Sequence, residues 1–183
     1  MSSLLGLLCI IRGDFSTLGG EKGEWGMHSI GILAGGAACA DLLAQALPPG
    51  LWERCRPACA GGMYDLLVVA PDWPVSRPVP PGLTCRALLL PGRLGPLAGD
   101  LEAGWVVSYG LTPRDSLTLS SLGQDGLCLA LQREVVTLAG RSLEPQETPL
   151  RGFAVAEPEL VLAWAGVMLL VGVPVEKLAS YDT

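Results

Sequence analysis

The sequence predicts an α/β fold: a mainly parallel, Rossmann-like sheet flanked by helices, with an antiparallel β meander in the C-terminal half. Up to Tyr109, short continuous apolar runs alternate with helical segments, which is the β-α-β rhythm of a parallel sheet covered on both faces. Beyond Leu111, apolar and polar residues alternate between glycine turns, as in antiparallel strands. A long apolar segment with Pro158 near its start, 157–171, then predicts a buried helix.

The expected elements follow from these patterns. The four central strands are predominantly apolar and are expected at 30–33, 63–70, 85–90 and 105–109. Helices are predicted beside them at 37–46, 51–56 and 94–101. The meander strands are expected at 116–121, 127–132, 135–138 and 142–147. After the long helix, Gly172 is expected to end it, and 173–178 to form a further turn or short helix.

Composition and charge limit the classes of partner. The chain has 183 residues, 50% of them hydrophobic, and a net charge of −6. Such a chain has no broad cationic surface for nucleic acid or anionic lipid, so neither is expected as a partner. The longest apolar run, 160–173, is 14 residues, whereas a membrane span needs about 20. We therefore expect no membrane association, and the absence of a signal-peptide pattern predicts a cytoplasmic location.

The domain organisation is expected to be a short segment, 1–26, followed by one α/β domain, 27–183. The short segment contains an apolar stretch, 4–11, and a stretch rich in Gly, Glu and Lys that ends just before Met27. Codons for that stretch are purine-rich, as in a bacterial ribosome-binding site. One hypothesis is therefore that Met27 is the true start, and the other is an ordinary N-terminal extension or hairpin.

A glycine turn after the first strand has the layout of a phosphate-binding loop without its chemistry. Gly31 and Gly36 have the G-x-x-x-x-G spacing, and an Ala- and Leu-rich helix follows. Ala37 and Ala38 stand where such a loop has the Lys and the Ser or Thr that contact phosphate and Mg²⁺. We predict no cofactor. The N–H groups of Gly35 and Gly36 remain candidates to hold a small anion, and the alternative is a tight turn.

Other candidate ligand contacts lie at strand ends, because open α/β sheets bind ligands at the carboxyl ends of their strands. Asp72 follows the second central strand and is either a ribose or cation contact or the cap of a turn between two prolines. Tyr109 ends the fourth central strand, and Arg114 lies in the loop just after it. Arg114 is either an anion contact or a solvated turn residue.

Neither a catalytic nor a metal site is predicted. The chain has one histidine, His28, and no nucleophile with an evident base. Its six cysteines are scattered and are interpreted as free thiols. The pair Cys55-x-x-x-Cys59 has no further close cysteine or histidine to complete a metal site.

Several segments share the motifs of one enzyme family. Residues 105–111 read Trp-Val-Val-Ser-Tyr-Gly-Leu, and residues 172–178 read Gly-Val-Pro-Val-Glu-Lys-Leu. They resemble a strand and the end of a long helix in the central ATP-binding domain of the Mur ligases, which add amino acids to the peptidoglycan precursor. In that family the strand reads hydrophobic-hydrophobic-Thr-Tyr/Phe-Gly, and the helix ends in Gly-Val-Pro-x-Glu-x-Ile. Residues 69–74 and 30–47 are similar to the family's Asn-Ala-Asp-Asp-Pro strand end and phosphate-loop strand and helix.

The chain also departs from that family. It lacks the Gly-Thr-Asn-Gly-Lys-Thr motif, and the stretch that carries the family's Mg²⁺-binding Glu and His is largely missing. The His-Asn-x-x-Asn motif would fall on Ala154, Val155 and Pro158. The resemblance implies a shortened, degenerate relative: a non-catalytic module that binds a protein partner or a small anionic ligand and is linked to bacterial cell-wall metabolism. The alternative is a small enzyme or sensor that binds a nucleotide or sugar nucleotide.

Overall fold

The computed structural model describes residues 28–123, 126–150 and 157–179. The segment 1–26, with its two hypotheses about the start of the chain, lies outside the described residues. Ten strands are described, eight in one sheet and two in a separate pair. This architecture confirms the predicted α/β class, with a mainly parallel sheet and an antiparallel part in the C-terminal half.

The parallel half of the sheet carries the candidate site. Its strands are β1 (Ile30–Leu33), β2 (Cys55–Pro57), β3 (Met63–Val69), β4 (Thr84–Pro91) and β5 (Glu102–Tyr109). All of these strands are parallel to their neighbours, and β1 lies between β2 and β3. The strands β3 and β4 are apolar over most of their length because both of their faces are covered.

The antiparallel half extends the sheet beyond β5. Its strands are β6 (Leu117–Gly123), β7 (Gly126–Leu131) and β10 (Gln146–Leu150). The full order is β10-β7-β6-β5-β4-β3-β1-β2, and β6 meets β5 at one parallel position, Tyr109 opposite Leu117. The short strands β8 (Val135–Val136) and β9 (Ser142–Leu143) pair only with each other, so this part of the predicted meander leaves the main sheet.

Helices cover the two faces of the sheet. They are α1 (Ala37–Gln45), α2 (Pro49–Trp52), a 3₁₀ helix (Gly92–Asp100), α3 (Pro158–Leu170) and α4 (Val175–Ala179). Every residue of α3 from Leu160 to Leu170 is buried, as expected for a helix that is apolar on all sides. Gly172, at φ +100°, ends it in a backbone region that favours glycine. Within the described ranges, no helix is long and apolar enough to cross a membrane.

Two predicted helices need correction. The helix predicted at 51–56 is wrong in its second half: α2 ends at Trp52, and Cys55–Pro57 form the edge strand β2 beside β1. An edge strand needs little apolar surface, so its sequence carried no strand signal. The helix predicted at 94–101 is a 3₁₀ helix from Gly92 to Asp100, and Pro96 inside it is incompatible with a regular α-helical ladder.

Candidate functional site

The candidate site lies where the chain diverges from two neighbouring parallel strands. From β1 the chain runs through α1 and α2 to β2 on one side, and from β3 it runs to β4 on the other. The loops that follow the carboxyl ends of β1 and β3 therefore lead away in opposite directions. In open α/β sheets such a switch in strand order leaves a crevice in which ligands bind.

Asp72 occupies this crevice and joins its two sides. Its Oδ1 accepts a hydrogen bond from the N–H of Gly35 and its Oδ2 one from the N–H of Gly36, both at 2.9 Å. Consecutive N–H groups that converge ahead of a helix are the arrangement that phosphate-binding loops offer to an anion. Here the protein's own carboxylate fills that position, which we call the anion seat.

Two arginines hold the loops that form the crevice. Arg77 donates to the carbonyl of Ala34 at 3.5 Å, and its guanidinium lies 4.5 Å from the centre of the Trp73 ring. Arg93 donates to the carbonyl of Pro71. Both cations are thus engaged with backbone carbonyls of the two loops, so the site is braced in the folded chain.

Beside the anion seat is an open cleft of about 550 Å³. Three of its lining side chains are carboxylates, Asp72, Glu157 and Glu159, and no lysine or arginine lines it within the described residues. The rest of its lining is apolar or small: Gly36, Ala38, Cys39, Pro71, Leu111, Pro158 and Leu160. The cleft therefore combines an apolar wall with negative charge.

The carboxylates act electrostatically on the groups beneath them. Burial raises the pKa of the Cys39 thiol to about 12, and the charges of Asp72 and Glu157 add to this effect. Burial, followed by the charge of Glu159, raises the pKa of Tyr109 well above its ordinary value. Both groups are therefore neutral near pH 7. A thiol in this state is a poor nucleophile, so the cleft contains no activated one at Cys39.

Tyr109 lies under the site, away from solvent. It is fully buried, and its hydroxyl donates to the carbonyl of Val69 at 2.7 Å, which ties the end of β5 to the end of β3. The ligand contact expected of Tyr109 stays a prediction. To make that contact, a ligand would have to reach a side chain that has no exposed surface.

Arg114 is exposed in the loop after β5 and does not line the cleft. Its neighbour Asp115 is buried and shapes that loop, because its Oδ2 accepts hydrogen bonds from the N–H of Thr112 at 3.2 Å and from its hydroxyl at 2.8 Å. Of the five predicted residues, the structure thus brings Gly35, Gly36 and Asp72 together. It places Tyr109 beneath them and Arg114 outside.

Sequence reasoning missed Glu157 and Glu159. Glu157 directly precedes α3 and Glu159 lies in its first turn, both far along the chain from β1 and β3, and Pro158 marked only the start of that helix. No sequence signal points to the site, because the helix returns to the parallel strands only after an antiparallel segment whose path the sequence does not determine. Acidic residues in the first turn of a helix also favour its dipole, so their presence alone did not indicate a cleft.

Nowhere in the described part of the chain, the cleft included, is a group of three or more His, Cys, Asp or Glu arranged to hold a metal ion. Cys39, Cys55, Cys59, Cys85 and Cys128 are free thiols. In the comparisons with known proteins, no family model matches the chain and no curated protein matches it.

Proposed function

We propose that the protein is a non-catalytic binding module, a shortened relative of the Mur ligase ATP-binding domain that no longer handles nucleotide phosphates. The observation that carries the proposal is the position of Asp72. Its carboxylate takes the two N–H groups that would otherwise receive a phosphate oxygen. A phosphate in the same place would have to displace that carboxylate or lie against its negative charge.

The missing side chains support the same reading. Without the lysine and hydroxyl that Ala37 and Ala38 replace, only backbone dipoles are left to stabilise a phosphate. At an exposed helix N-terminus they contribute about 0.3–1 kcal/mol. That is far less than the roughly 8 kcal/mol of a micromolar complex.

Binding by the neighbouring cleft is supported by its size. A volume of about 550 Å³ falls in the range of small-molecule sites, roughly 300–1,000 Å³. Arg77 and Arg93 also contact backbone carbonyls of the two loops beside it. The cleft is the part of this module to which we assign ligand or partner binding.

The link to bacterial cell-wall metabolism rests on the sequence resemblance alone. It concerns chiefly residues 105–111 and 172–178. The position of the coding gene tests it: a location among peptidoglycan-synthesis genes supports the link, and consistent separation from them in related genomes counts against it.

The second candidate function is a sensor or enzyme that binds a nucleotide or sugar nucleotide. The observation that favours it is the position of the cleft, at the switch in strand order between β1 and β3 where such ligands bind in open α/β sheets. In that case the phosphate would replace Asp72 at the N–H groups of Gly35 and Gly36.

Pyrophosphate binding separates the two candidates. We expect no binding to the wild-type chain at millimolar pyrophosphate, and weak binding to Asp72→Asn, which removes the charge from the anion seat. Asp100→Asn is the matched control, because Asp100 is exposed and precedes the amino end of β5, at the opposite edge of the sheet. Tight binding to the wild-type chain would overturn the proposal and favour the nucleotide-binding candidate.

A further inference from the structure

We infer that the cleft takes a small organic cation, an ammonium group attached to a short apolar body. The inference rests on the proposed function and deepens it, since it names the ligand class of the same cleft. It replaces the small anionic ligand that the sequence led us to expect. Two features of the cleft carry it, the charge of the lining and the apolar surface beside that charge.

The charge of the lining is negative. Asp72, Glu157 and Glu159 supply three carboxylates, and no described cation lines the cleft. The two N–H groups of Gly35 and Gly36 offset part of the charge on Asp72. An anionic ligand would meet like charge here, whereas an ammonium group would meet opposite charge.

The carboxylates line a common space, because Asp72, Glu157 and Glu159 all border the same cleft. The charges of Asp72 and Glu157 act on Cys39, and those of Glu159 and Asp72 act on Tyr109, where Arg93 acts in the opposite direction. Cys39 itself lines the cleft. A cation in the cleft would therefore meet carboxylates from two separate parts of the chain.

The apolar surface sets the rest of the ligand. Leu111 leaves 51% of its surface exposed at the mouth of the cleft, and Leu160, Pro71 and Pro158 line it as well. A bare inorganic cation would leave this apolar surface exposed to water. An uncharged hydrocarbon would make no ionic contact with the carboxylates. An alkylammonium ion uses both, because its chain covers apolar surface while its head group meets the carboxylates.

A helix-stabilising role for Glu157 and Glu159 accounts for part of these observations. Carboxylates at the N-cap and in the first turn favour the helix dipole of α3 whatever lies in front of it. That role requires neither a cleft of about 550 Å³ nor an exposed leucine facing the same space. The cation proposal accounts for all of these features together.

The test compares three probes that share one alkyl chain and differ in charge: hexylammonium, hexan-1-ol and hexanoate. Each is titrated into the full chain while the backbone amide signals of Gly36, Leu111 and Leu160 are followed by NMR. We expect hexylammonium to bind about tenfold more tightly than hexan-1-ol, because partly exposed ion pairs each contribute modestly. Hexanoate should bind most weakly, and raising the salt concentration should weaken hexylammonium binding alone.

Charge-neutral variants make the test specific. Glu157→Gln and Glu159→Gln should each weaken hexylammonium binding about threefold and leave hexan-1-ol binding unchanged, in line with the modest energy of one exposed ion pair. Glu102→Gln is the matched control. It removes the same charge from an exposed residue at the amino end of β5, at the opposite edge of the sheet, and should leave all three probes unaffected.

The outcomes separate this inference from the proposed function. Equal binding of hexylammonium and hexan-1-ol at these amides overturns the cation inference and leaves a binding cleft. Binding of none of the three probes also overturns it. Tight pyrophosphate binding by the wild-type chain, in the experiment described above, overturns the proposed function itself. Preference for hexylammonium that the two glutamine variants reduce supports both.

Discussion

Asp72 lies so close to Gly35 that no side chain fits between them. A Cβ atom on Gly35 would be 2.2 Å from the carbonyl oxygen of Asp72, while the Asp72 carboxylate accepts the N–H of the same glycine. The loop after β1 and the loop after β3 thus meet through one backbone contact and one charged hydrogen bond. Because of this contact, the anion seat is filled from within the chain.

This contact predicts different effects for the two adjacent glycines. Gly35→Ala should lower the free energy of unfolding by about 1–3 kcal/mol, as overpacking does, because the obstructing atom is backbone. Gly36→Ala should cost less than about 1 kcal/mol, since its Cβ would lie 3.8 Å from Oδ2 of Asp72, in ordinary contact. Urea unfolding of both variants checks this. Equal losses would contradict the close approach at Gly35.

The hydrogen bond from Tyr109 to Val69 predicts a cost for Tyr109→Phe. The substitution leaves the buried carbonyl of Val69 without its partner, so we expect a loss of about 1–2 kcal/mol in the free energy of unfolding. Tyr64→Phe is the control, because the hydroxyl of Tyr64 meets the N–H of Cys59 at an exposed site. A cost for Tyr109→Phe no larger than the control's would mean that the Val69 contact contributes little.

Two partly buried thiols predict that the protein loses stability at alkaline pH. The folded state raises the pKa of Cys39 and Cys55 from 9.0 to about 12, in both cases first through burial. The unfolded thiols ionise near pH 9, so the folded state holds these protons more tightly. The contribution of these two thiols to the free energy of unfolding is therefore complete below pH 9, and it is lost as the pH rises toward about 12.

Unfolding free energies measured by urea at pH 8 and pH 10 check this dependence. The decline should be smaller in Cys39→Ala, and unchanged in Cys59→Ala, which replaces an exposed cysteine. Stability that rises or stays level over this range would contradict the prediction.

The buried helix α3 predicts a large cost for truncating its core side chains. Leu170 is fully buried in the larger apolar cluster of the sheet, so Leu170→Ala should cost about 2–5 kcal/mol. Leu111→Ala, at a side chain that is 51% exposed, should cost well under about 1 kcal/mol. Thermal or chemical unfolding of the two variants gives the comparison. A small loss for Leu170→Ala would mean that α3 does not pack as described.

The parallel strands could be predicted because burial on both faces leaves a direct trace in the sequence. The strand Met63–Val69 ends in four fully buried residues, and the prediction placed it within one residue. The edge strand Cys55–Pro57 leaves no such trace, since it is mostly exposed and pairs on one side only. Its position is set by its pairing with β1. The local sequence of this short strand does not encode that pairing.

The candidate site was predictable in part. Placing Asp72 and the Gly35–Gly36 turn at carboxyl ends of neighbouring strands follows from the β-α-β pattern. The hydrogen bonds between them do not follow from that pattern. Each bond joins two residues that are 36 or 37 positions apart in the chain, and it depends on how the two loops are placed relative to each other. The contribution of Glu157 and Glu159 depends on the return of α3 to the parallel half, after an antiparallel segment whose path the sequence does not determine.

Calorimetric titration of the full chain with ATP and Mg²⁺ tests the central claim most directly, that Asp72 fills the anion seat and phosphate chemistry is absent. We predict no binding heat at micromolar to millimolar ATP, with or without Mg²⁺, and no ATP hydrolysis. Micromolar, Mg²⁺-dependent binding that disappears when Gly36 is replaced by a bulky residue would contradict the claim. It would show that a nucleotide displaces Asp72 from the N–H groups of Gly35 and Gly36.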